Sequence, residues 1–287
     1  MSLNQADVNR RRTRGVLIAS FLTASTPVLA TMPGDVPDTI RFGLGGFAVE
    51  AFTEAALSSS SAGVGATVNF EDIFDLPENT QILSFDGTWH VAKRQYIDFG
   101  YVKINRTGSK SIDQDVDWGD FTFQTGAEVG AFFDTSFPYA AWRYDFLQLE
   151  QVHISGSAGI DYLTISAGLR AEGGVTDPNG VAIAGEVEEE VSLAFPVPQL
   201  GLQVDWALSR RLAIKFYTRW LGINTGDLNG SIAQRTIRLY WYFSRHVGIA
   251  VGLDDYSIDL KEYTSGNRTA RFRYDVKGLS FYLTAAF

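Results

Sequence analysis

Apolar and polar residues alternate with a period of two along most of this chain, a pattern typical of β-strands with one apolar face. In the segment 83–91 the odd positions are apolar or small and the even positions are polar. The same alternation recurs at 152–161, 200–208 and 236–243. Helical periodicity is nearly absent, so we expect an all-β protein. Alternation alone does not separate a soluble β-sandwich from a closed barrel.

Composition narrows the class further. The chain has 287 residues and no cysteine, which excludes disulfide frameworks, thiolate zinc sites, iron–sulfur centres and cysteine nucleophiles. Six Trp, twelve Tyr and twenty Phe are too many for a disordered chain. After the N-terminus no apolar run approaches the ~20 residues that a membrane-spanning helix needs, so a helical membrane bundle is excluded.

The N-terminus reads as an export signal. Arginines within 10–14 form a basic region, an apolar stretch begins at 16–22, and Val28-Leu29-Ala30 is a small-residue cleavage pattern. We expect residues 1–30 to be a signal peptide for general secretion and 31–287 to be one domain; the alternative is a basic arm of a cytosolic protein. The mature chain keeps 20 basic and 32 acidic groups, so it is a poor partner for nucleic acid.

Connections of two lengths separate the alternating segments. Tight polar turns occur at 92–95, 148–151, 209–211 and 244–246. Longer segments rich in Gly, Ser, Asp and Glu lie between them, at 105–120, 172–190, 223–231 and 259–269. Bacterial membrane barrels place short turns in the periplasm and longer loops outside the cell, so this order favours a barrel.

The last strand carries the most specific pattern. Leu279, Phe281, Leu283, Ala285 and Phe287 alternate with small or polar residues, and the sequence ends at Phe287. This pattern resembles the terminal strand of bacterial outer-membrane β-barrels, which serves as an assembly signal. By that resemblance, the signal in this chain would consist of Leu279, Phe281, Leu283 and Phe287. The resemblance implies the Gram-negative outer membrane, and as partners the barrel-assembly machinery, periplasmic chaperones, outer-membrane lipids and lipopolysaccharide.

We predict a closed antiparallel transmembrane barrel of twelve strands, because both ends in the periplasm require an even number. Nine strands are expected at 81–91, 96–107, 126–147, 151–171, 188–208, 212–223, 231–244, 247–261 and 270–287. Three more, at Thr39–Ala48, Phe52–Leu57 and Gly63–Phe74, give twelve. Ten strands is the alternative. Pro196 and Pro198 predict a bulge or break in their strand.

Even and odd positions along each strand are expected to face opposite sides of the barrel wall, the lipid and the lumen. Aromatic residues near the periplasmic turns fit a lipid-facing girdle: Trp89, Trp142, Tyr144, Phe146, Trp206, Trp241 and Phe243. Charged residues of both signs are expected to line the lumen: Asp86, Asp98, Arg143, Asp145, Asp161, Asp205, Lys215, Arg219 and Arg238. They could pair and close the bore, since unpaired buried charges are costly. In a barrel of about twelve strands they could instead line a narrow aqueous channel.

One short motif suggests chemistry. His153-Ile154-Ser155 resembles the His-x-Ser element of the outer-membrane lipid A 3-O-deacylases, and the period of two puts His153 and Ser155 on one face. That face is the lumen, near a periplasmic turn, whereas such enzymes present their site to lipid on the outer side. On the same strand the nearest following carboxylate is Asp161. We regard these two residues as weak catalytic candidates.

Ligand sites are weakly indicated. His90, His153 and His246 all lie near periplasmic turns, but their placement in the wall does not predict a metal site, and we expect no cofactor. Acidic residues crowd the expected external rim. Basic residues near the outer ends, including Arg106, Lys110, Arg268, Arg271 and Arg273, could meet lipopolysaccharide phosphates.

The function expected is that of a non-enzymatic barrel, either structural or a narrow-bore channel for small solutes. The alternative is a lipid-modifying hydrolase similar to the lipid A deacylases, and a third is a soluble exported sandwich or lectin-like module.

Overall fold

A computed structural model describes residues 39–59, 67–77, 79–225, 228–265 and 268–287, and they form a closed antiparallel barrel. The strands are β1 (Ile40–Ser59), β2 (Val68–Asn69), β3 (Asn79–Ala92), β4 (Gln95–Ser111), β5 (Val116–Trp118), β6 (Phe121–Phe123), β7 (Glu128–Gln148), β8 (Val152–Glu172), β9 (Val175–Thr176), β10 (Ala182–Ile183), β11 (Glu186–Ala207), β12 (Leu212–Thr225), β13 (Leu228–Tyr242), β14 (Val247–Ser265) and β15 (Arg268–Ala286), with one helix, α1 (Phe70–Phe74). In these ranges no helix is both long and apolar enough to cross a bilayer.

Ten strands make the barrel wall, in the order β1, β3, β4, β7, β8, β11, β12, β13, β14 and β15. The wall closes where β1 pairs with β15, from Arg41 opposite Ala286 to Ser59 opposite Arg268. Closure removes the unpaired strand edges that an open sheet would expose. Each wall strand pairs with its sequence neighbour in the wall, as in an up-and-down barrel.

The barrel therefore has ten wall strands, and the prediction of twelve is wrong while the ten-strand alternative is confirmed. The expected strands at 39–48 and 52–57 are one continuous strand, β1. The expected strand at 63–74 does not cross the wall, because its described part is the two-residue β2 followed by α1. The predicted signal peptide, residues 1–30, lies outside the described residues.

Three further expectations are corrected. The described parts of 223–231 and 259–269 are strand rather than long loop, since β12 continues to Thr225 and β14 to Ser265. The ladder between β8 and β11 passes through Pro196 and Pro198 without a register shift. Both proline side chains face outwards and are exposed. Polar residues in these strands fit an external extension with water on its outer face.

The outer face divides into an apolar band and a charged row. At the end with the short turns, the exposed side chains on β13, β14 and β15 are apolar, as at Leu239, Val251 and Phe281. On β15 this band covers 279–287, close to the ~9–11 residues that a strand needs to span a bilayer. It ends at a cross-strand row of charged residues in register: Arg235, Asp255, Lys277 and Glu50. The predicted girdle aromatics, Trp89, Trp142, Tyr144, Phe146, Trp206, Trp241 and Phe243, are all exposed within the band.

The interior shows the opposite arrangement. Within the apolar band the bore contains charged and tyrosine side chains, among them Arg143 and Arg238. Beyond the charged row the bore is filled by an apolar cluster that includes Leu57, Phe133 and Leu169. The strands are long enough to hold both zones, because β7 and β8 each have 21 residues.

The far end of the bore is capped by chain segments that pack into this apolar cluster. Phe70 of α1 lies 5.6 Å from the Trp118 ring and 6.2 Å from the Phe133 ring. Strands β5, β6, β9 and β10 form a second small sheet beside it. Trp118 is fully buried and its Nε1 donates to the Glu189 carbonyl at 3.1 Å. We call α1 and this sheet the cap.

A buried ion pair joins the cap to the wall. Arg106 Nη2 lies 2.6 Å from Glu71 Oε1, and both side chains are nearly inaccessible. Glu71 Oε2 accepts from the Thr53 amide at 2.8 Å, and Arg106 Nη1 donates to Thr53 Oγ1 at 2.6 Å. Arg106 therefore faces inwards, which contradicts the expectation that it meets lipopolysaccharide phosphates.

Candidate functional site

The polar bore is the candidate functional site, and its lower layer centres on Arg143 of β7. Arg143 Nε donates to Asp98 Oδ2 at 2.7 Å, and Nη1 lies 3.4 Å from Asp145 and 3.6 Å from Asp205. Its guanidinium also stacks over the Tyr96 ring at 4.2 Å. One cation is thus shared among carboxylates from β4, β7 and β11.

Two further cations extend this layer. Lys215 Nζ lies 3.5 Å from Asp205 Oδ1. Arg41 donates to Thr88 Oγ1 at 2.9 Å, and Thr88 donates in turn to Asp98 at 2.8 Å. Both cations lie over the ring of Tyr240, at 5.7 Å and 5.2 Å.

An upper layer is organised by Arg238 and Arg219. Arg238 on β13 reaches across the bore to Asp86 on β3 at 2.6 Å, and it also contacts Asp254 at 3.3 Å. Arg219 Nη1 donates to Gln199 Oε1 at 3.2 Å and lies 3.9 Å from Asp161. The Arg238–Asp86 contact joins strands that are not adjacent in the wall, so it crosses the lumen.

Tyrosine rings fill the space between the charges. Arg238 stacks over Tyr282 at 4.2 Å, and Arg219 stacks over Tyr139 at 4.3 Å. Cavities left among these side chains have volumes of about 50, 30 and 10 Å³. A space of that size holds about one or two water molecules.

This arrangement closes the bore. Burying a charge without a partner costs several kcal/mol, and each carboxylate here lies beside a cation, so the charges stabilise one another in place. Guanidinium groups suit the task because they form several hydrogen bonds in one plane and also stack on aromatic rings.

His153 and Ser155 face the bore and share one carboxylate. Ser155 Oγ donates to Asp145 Oδ1 at 2.6 Å, and His153 Nδ1 lies 3.0 Å from Asp145 Oδ2. Asp145 lies on the neighbouring strand β7, so the sequence of β8 alone does not reveal this carboxylate partner. In a nucleophilic triad the imidazole lies between serine and carboxylate. Here the carboxylate lies between serine and imidazole, so the imidazole is not placed to take the serine proton.

Every charged residue expected in the lumen lies inside the barrel in these two layers: Asp86, Asp98, Arg143, Asp145, Asp161, Asp205, Lys215, Arg219 and Arg238. Sequence reasoning missed Arg41, Asp254 and the tyrosines Tyr96, Tyr139, Tyr217, Tyr240 and Tyr282. Period-two alternation could have predicted the inward-facing tyrosines on β13 and β15, since Tyr240 and Tyr282 occupy alternate positions with inward-facing polar residues.

The expected assembly residues, Leu279, Phe281, Leu283 and Phe287, are exposed at the outer face and end of β15. Their use by an assembly machinery stays a prediction. Across the described residues, no group of three or more His, Asp or Glu side chains is arranged to hold a metal ion.

Known proteins resemble this barrel in fold. The outer membrane protease OmpT from Escherichia coli superimposes with a TM-score of 0.56 at 11% identity, covering 88% of this chain and 97% of that chain. The toluene transporter TodX from Pseudomonas putida matches with a TM-score of 0.36 at 8% identity, covering 92% of each chain. The outer membrane protein OprG from Pseudomonas aeruginosa has a TM-score of 0.36 at 9% identity, covering 87% of this chain and 98% of that chain.

No protein-family model and no curated protein sequence matches the chain. At 11% identity the OmpT likeness shows the fold alone. The chain therefore shares the closed barrel fold of an outer-membrane protein, the class whose terminal strand the last strand of this chain resembles. Closure of the wall contradicts the alternative of a β-sandwich.

Proposed function

We propose that this protein is a sealed outer-membrane barrel with a structural role: the membrane-embedded half anchors the external half and its cap above the bilayer. The observation that carries the proposal is the paired-charge filling of the bore, with Arg143 and Arg238 joined to carboxylates of several strands. Of the two roles expected from sequence, structural support and a narrow-bore channel, this filling favours structural support.

A second seal supports the same conclusion. Beyond the polar layers a solute would meet the apolar cluster around Phe133 and Tyr274, whose rings lie 5.0 Å apart, and then α1. Ions do not cross tightly packed apolar side chains without a large desolvation cost. Freely conducting porins have 16–18 strands, whereas ten strands leave an interior that side chains can fill.

We do not favour a hydrolase. The bridging position of Asp145 leaves His153 without a hydrogen bond to Ser155, and both side chains are almost fully buried. OmpT is a protease, but a likeness of fold at 11% identity does not carry that activity to this chain.

A liposome-swelling assay tests the proposal. The mature protein is refolded into liposomes, and the vesicles are transferred to an isotonic arabinose solution. We expect no swelling above that of protein-free vesicles, while a general porin in parallel vesicles swells them. Swelling that scales with the amount of folded barrel would contradict a sealed bore.

A further inference from the structure

A cavity of about 370 Å³ opens at the short-turn end of the barrel and borders the lower polar layer at Tyr96 and His153. Its lining includes the β3–β4 turn, the end of β7 and the start of β8, with His90, Lys93, Arg94, Tyr96, Gln148 and His153. Small-molecule sites have volumes of ~300–1,000 Å³ and combine apolar surface with a few placed polar groups. The seal proposed for the bore does not depend on a ligand in this cavity.

The polar wall of the cavity is fixed from beneath. Asp145 Oδ2 faces His153 Nδ1 at 3.0 Å and accepts from Gln148 Nε2 at 3.0 Å. Gln148 Oε1 accepts in turn from Arg94 Nε at 3.2 Å. This chain of contacts orients His153, Gln148 and Arg94 before any ligand arrives. A site organised in advance loses less entropy on binding.

Arg94 occupies an unusual backbone position. Its φ is 66°, in the left-handed region, and the β3–β4 ladder shifts register beside it, between His90 and Ala92. Glycine is the usual residue at such a bulge, and a residue with a Cβ costs about 1–2 kcal/mol there. A strained residue that keeps a long cationic side chain at a cavity points to a use for that side chain.

The free groups in the cavity indicate the ligand. Within the described residues, Arg94 uses only Nε for its contact with Gln148, so its two terminal nitrogens can donate as a fork, and Lys93 adds a second cation. A planar guanidinium matches a carboxylate in two parallel hydrogen bonds. The His90 ring stacks at 4.4 Å on Tyr96, which is buried and also carries Arg143 at 4.2 Å, so His90 presents the aromatic surface beside these cations.

We propose that this cavity binds a small organic acid, with its carboxylate on Arg94 and Lys93 and its apolar body on the ring of His90, which Tyr96 supports from behind. His153 lies at the inner end of the cavity, where its second ring nitrogen is the contact for a polar group on the ligand.

The three histidines of the chain give a direct readout. The mature protein, refolded in detergent with its histidines labelled with carbon-13, is titrated with para-fluorobenzoate and followed by NMR. His90 and His153 line the cavity, whereas His246 stacks on Phe287 at 5.9 Å elsewhere and serves as the internal control. We expect the His90 and His153 signals to shift with one saturating curve while the His246 signal stays in place.

Variants separate binding from folding. Arg94→Gly relieves the strained backbone, so it keeps or raises stability, but it removes the fork and weakens binding about tenfold or more. Arg245→Gln, at another exposed turn of the same end, leaves the affinity unchanged. Benzyl alcohol, which lacks the carboxylate, and acetate, which lacks the apolar body, are expected to bind at least tenfold more weakly than para-fluorobenzoate. Equal shifts at all three histidines, no shift at His90 and His153, or full affinity in Arg94→Gly would overturn the proposal.

Discussion

At the scale of single residues, the bore depends on two arginines, Arg143 and Arg238, that each contact more than one carboxylate. Arg143 is 1% exposed at its side chain and contacts Asp98, Asp145 and Asp205. Removing one partner of a buried pair costs more than the pair contributes, because the remaining charge stays buried without compensation. Arg143 is therefore more important to stability than an equally close pair on the surface.

We expect Arg143→Met to lower the free energy of unfolding by about 3–5 kcal/mol, since it strands carboxylates inside the barrel. The measurement is urea unfolding of the refolded barrel in lipid vesicles, followed by tryptophan fluorescence. Arg235→Met is the matched control: Arg235 lies 3.2 Å from Asp255, but its side chain is 62% exposed. That control should change stability by less than about 1 kcal/mol. Equal losses in the two variants would show that the bore network contributes no more than a surface pair.

A second residue-scale prediction concerns Asp115, in the connection between β4 and β5. The Thr125 amide donates to Asp115 Oδ1 at 2.7 Å and the Thr125 hydroxyl at 2.8 Å, and these hydrogen bonds lower the pKa of Asp115. A lowered folded-state pKa means that this contact is present above the unfolded pKa and is lost as the pH falls through the folded one. The Thr125 amide chemical shift should therefore titrate with a midpoint below about 3.9, the ordinary value for Asp.

Asp115→Asn should remove that titration of the Thr125 amide and leave the amides of β7 unchanged. A midpoint at or above the ordinary aspartate value would show that Thr125 does not stabilise the charged carboxylate.

At the scale of elements, a buried ion pair joins α1 to the barrel wall. Glu71 of α1 accepts from Arg106 and from the Thr53 amide, so α1 and the wall strands β1 and β4 share these bonds. A helix of five residues is not stable alone, because its few hydrogen bonds do not offset nucleation. Its order depends on burial of Phe70 and Phe74 and on this pair.

Glu71→Ala is expected to release α1 while the barrel wall stays folded, because the lost carboxylate leaves the Arg106 guanidinium buried alone. The measurement is hydrogen exchange at peptide resolution. The amides in 68–74 should lose protection, and those of β13 should keep it. Asp72→Ala, which changes an exposed carboxylate on the same helix, should leave the protection of 68–74 in place. Retained protection in Glu71→Ala would show that apolar packing alone fixes α1.

Elements also show how far the sequence predicts this fold. Period-two alternation located nine wall strands and assigned their faces, because inside and outside differ in polarity at every second residue. It divided β1 in two, because Glu50 interrupts the apolar pattern where the outer face of the strand leaves the apolar band. The cap and the contact of Asp145 with Ser155 and His153 depend on chain segments brought together only by closure. The residue pattern of one strand does not predict such contacts between distant segments.

At the scale of the whole molecule, the two ends of the barrel differ. The tight turns and both described ends, Thr39 and Phe287, lie at one end of the barrel, and the cap lies at the other. In the outer membrane the turn end is expected to face the periplasm and the cap the exterior.

Because the chain has no cysteine, single-cysteine variants report this orientation cleanly. Asn179→Cys, in the exposed β9–β10 connection, should react with a membrane-impermeant maleimide on intact cells. Ser209→Cys, in an exposed turn at the opposite end, should react only after lysis. The reverse pattern, or labelling of both on intact cells, would contradict the proposed orientation.

Single-channel recording shows directly whether the paired charges and the apolar cluster seal the bore. The refolded mature protein is inserted into a planar lipid bilayer, with heat-modifiable gel mobility as the check on folding. We predict that folded barrels stay electrically silent in potassium chloride across the voltages that the bilayer tolerates. Stable conductance steps whose ion selectivity changes in Lys215→Gln would show that water lines these side chains, and would contradict the account.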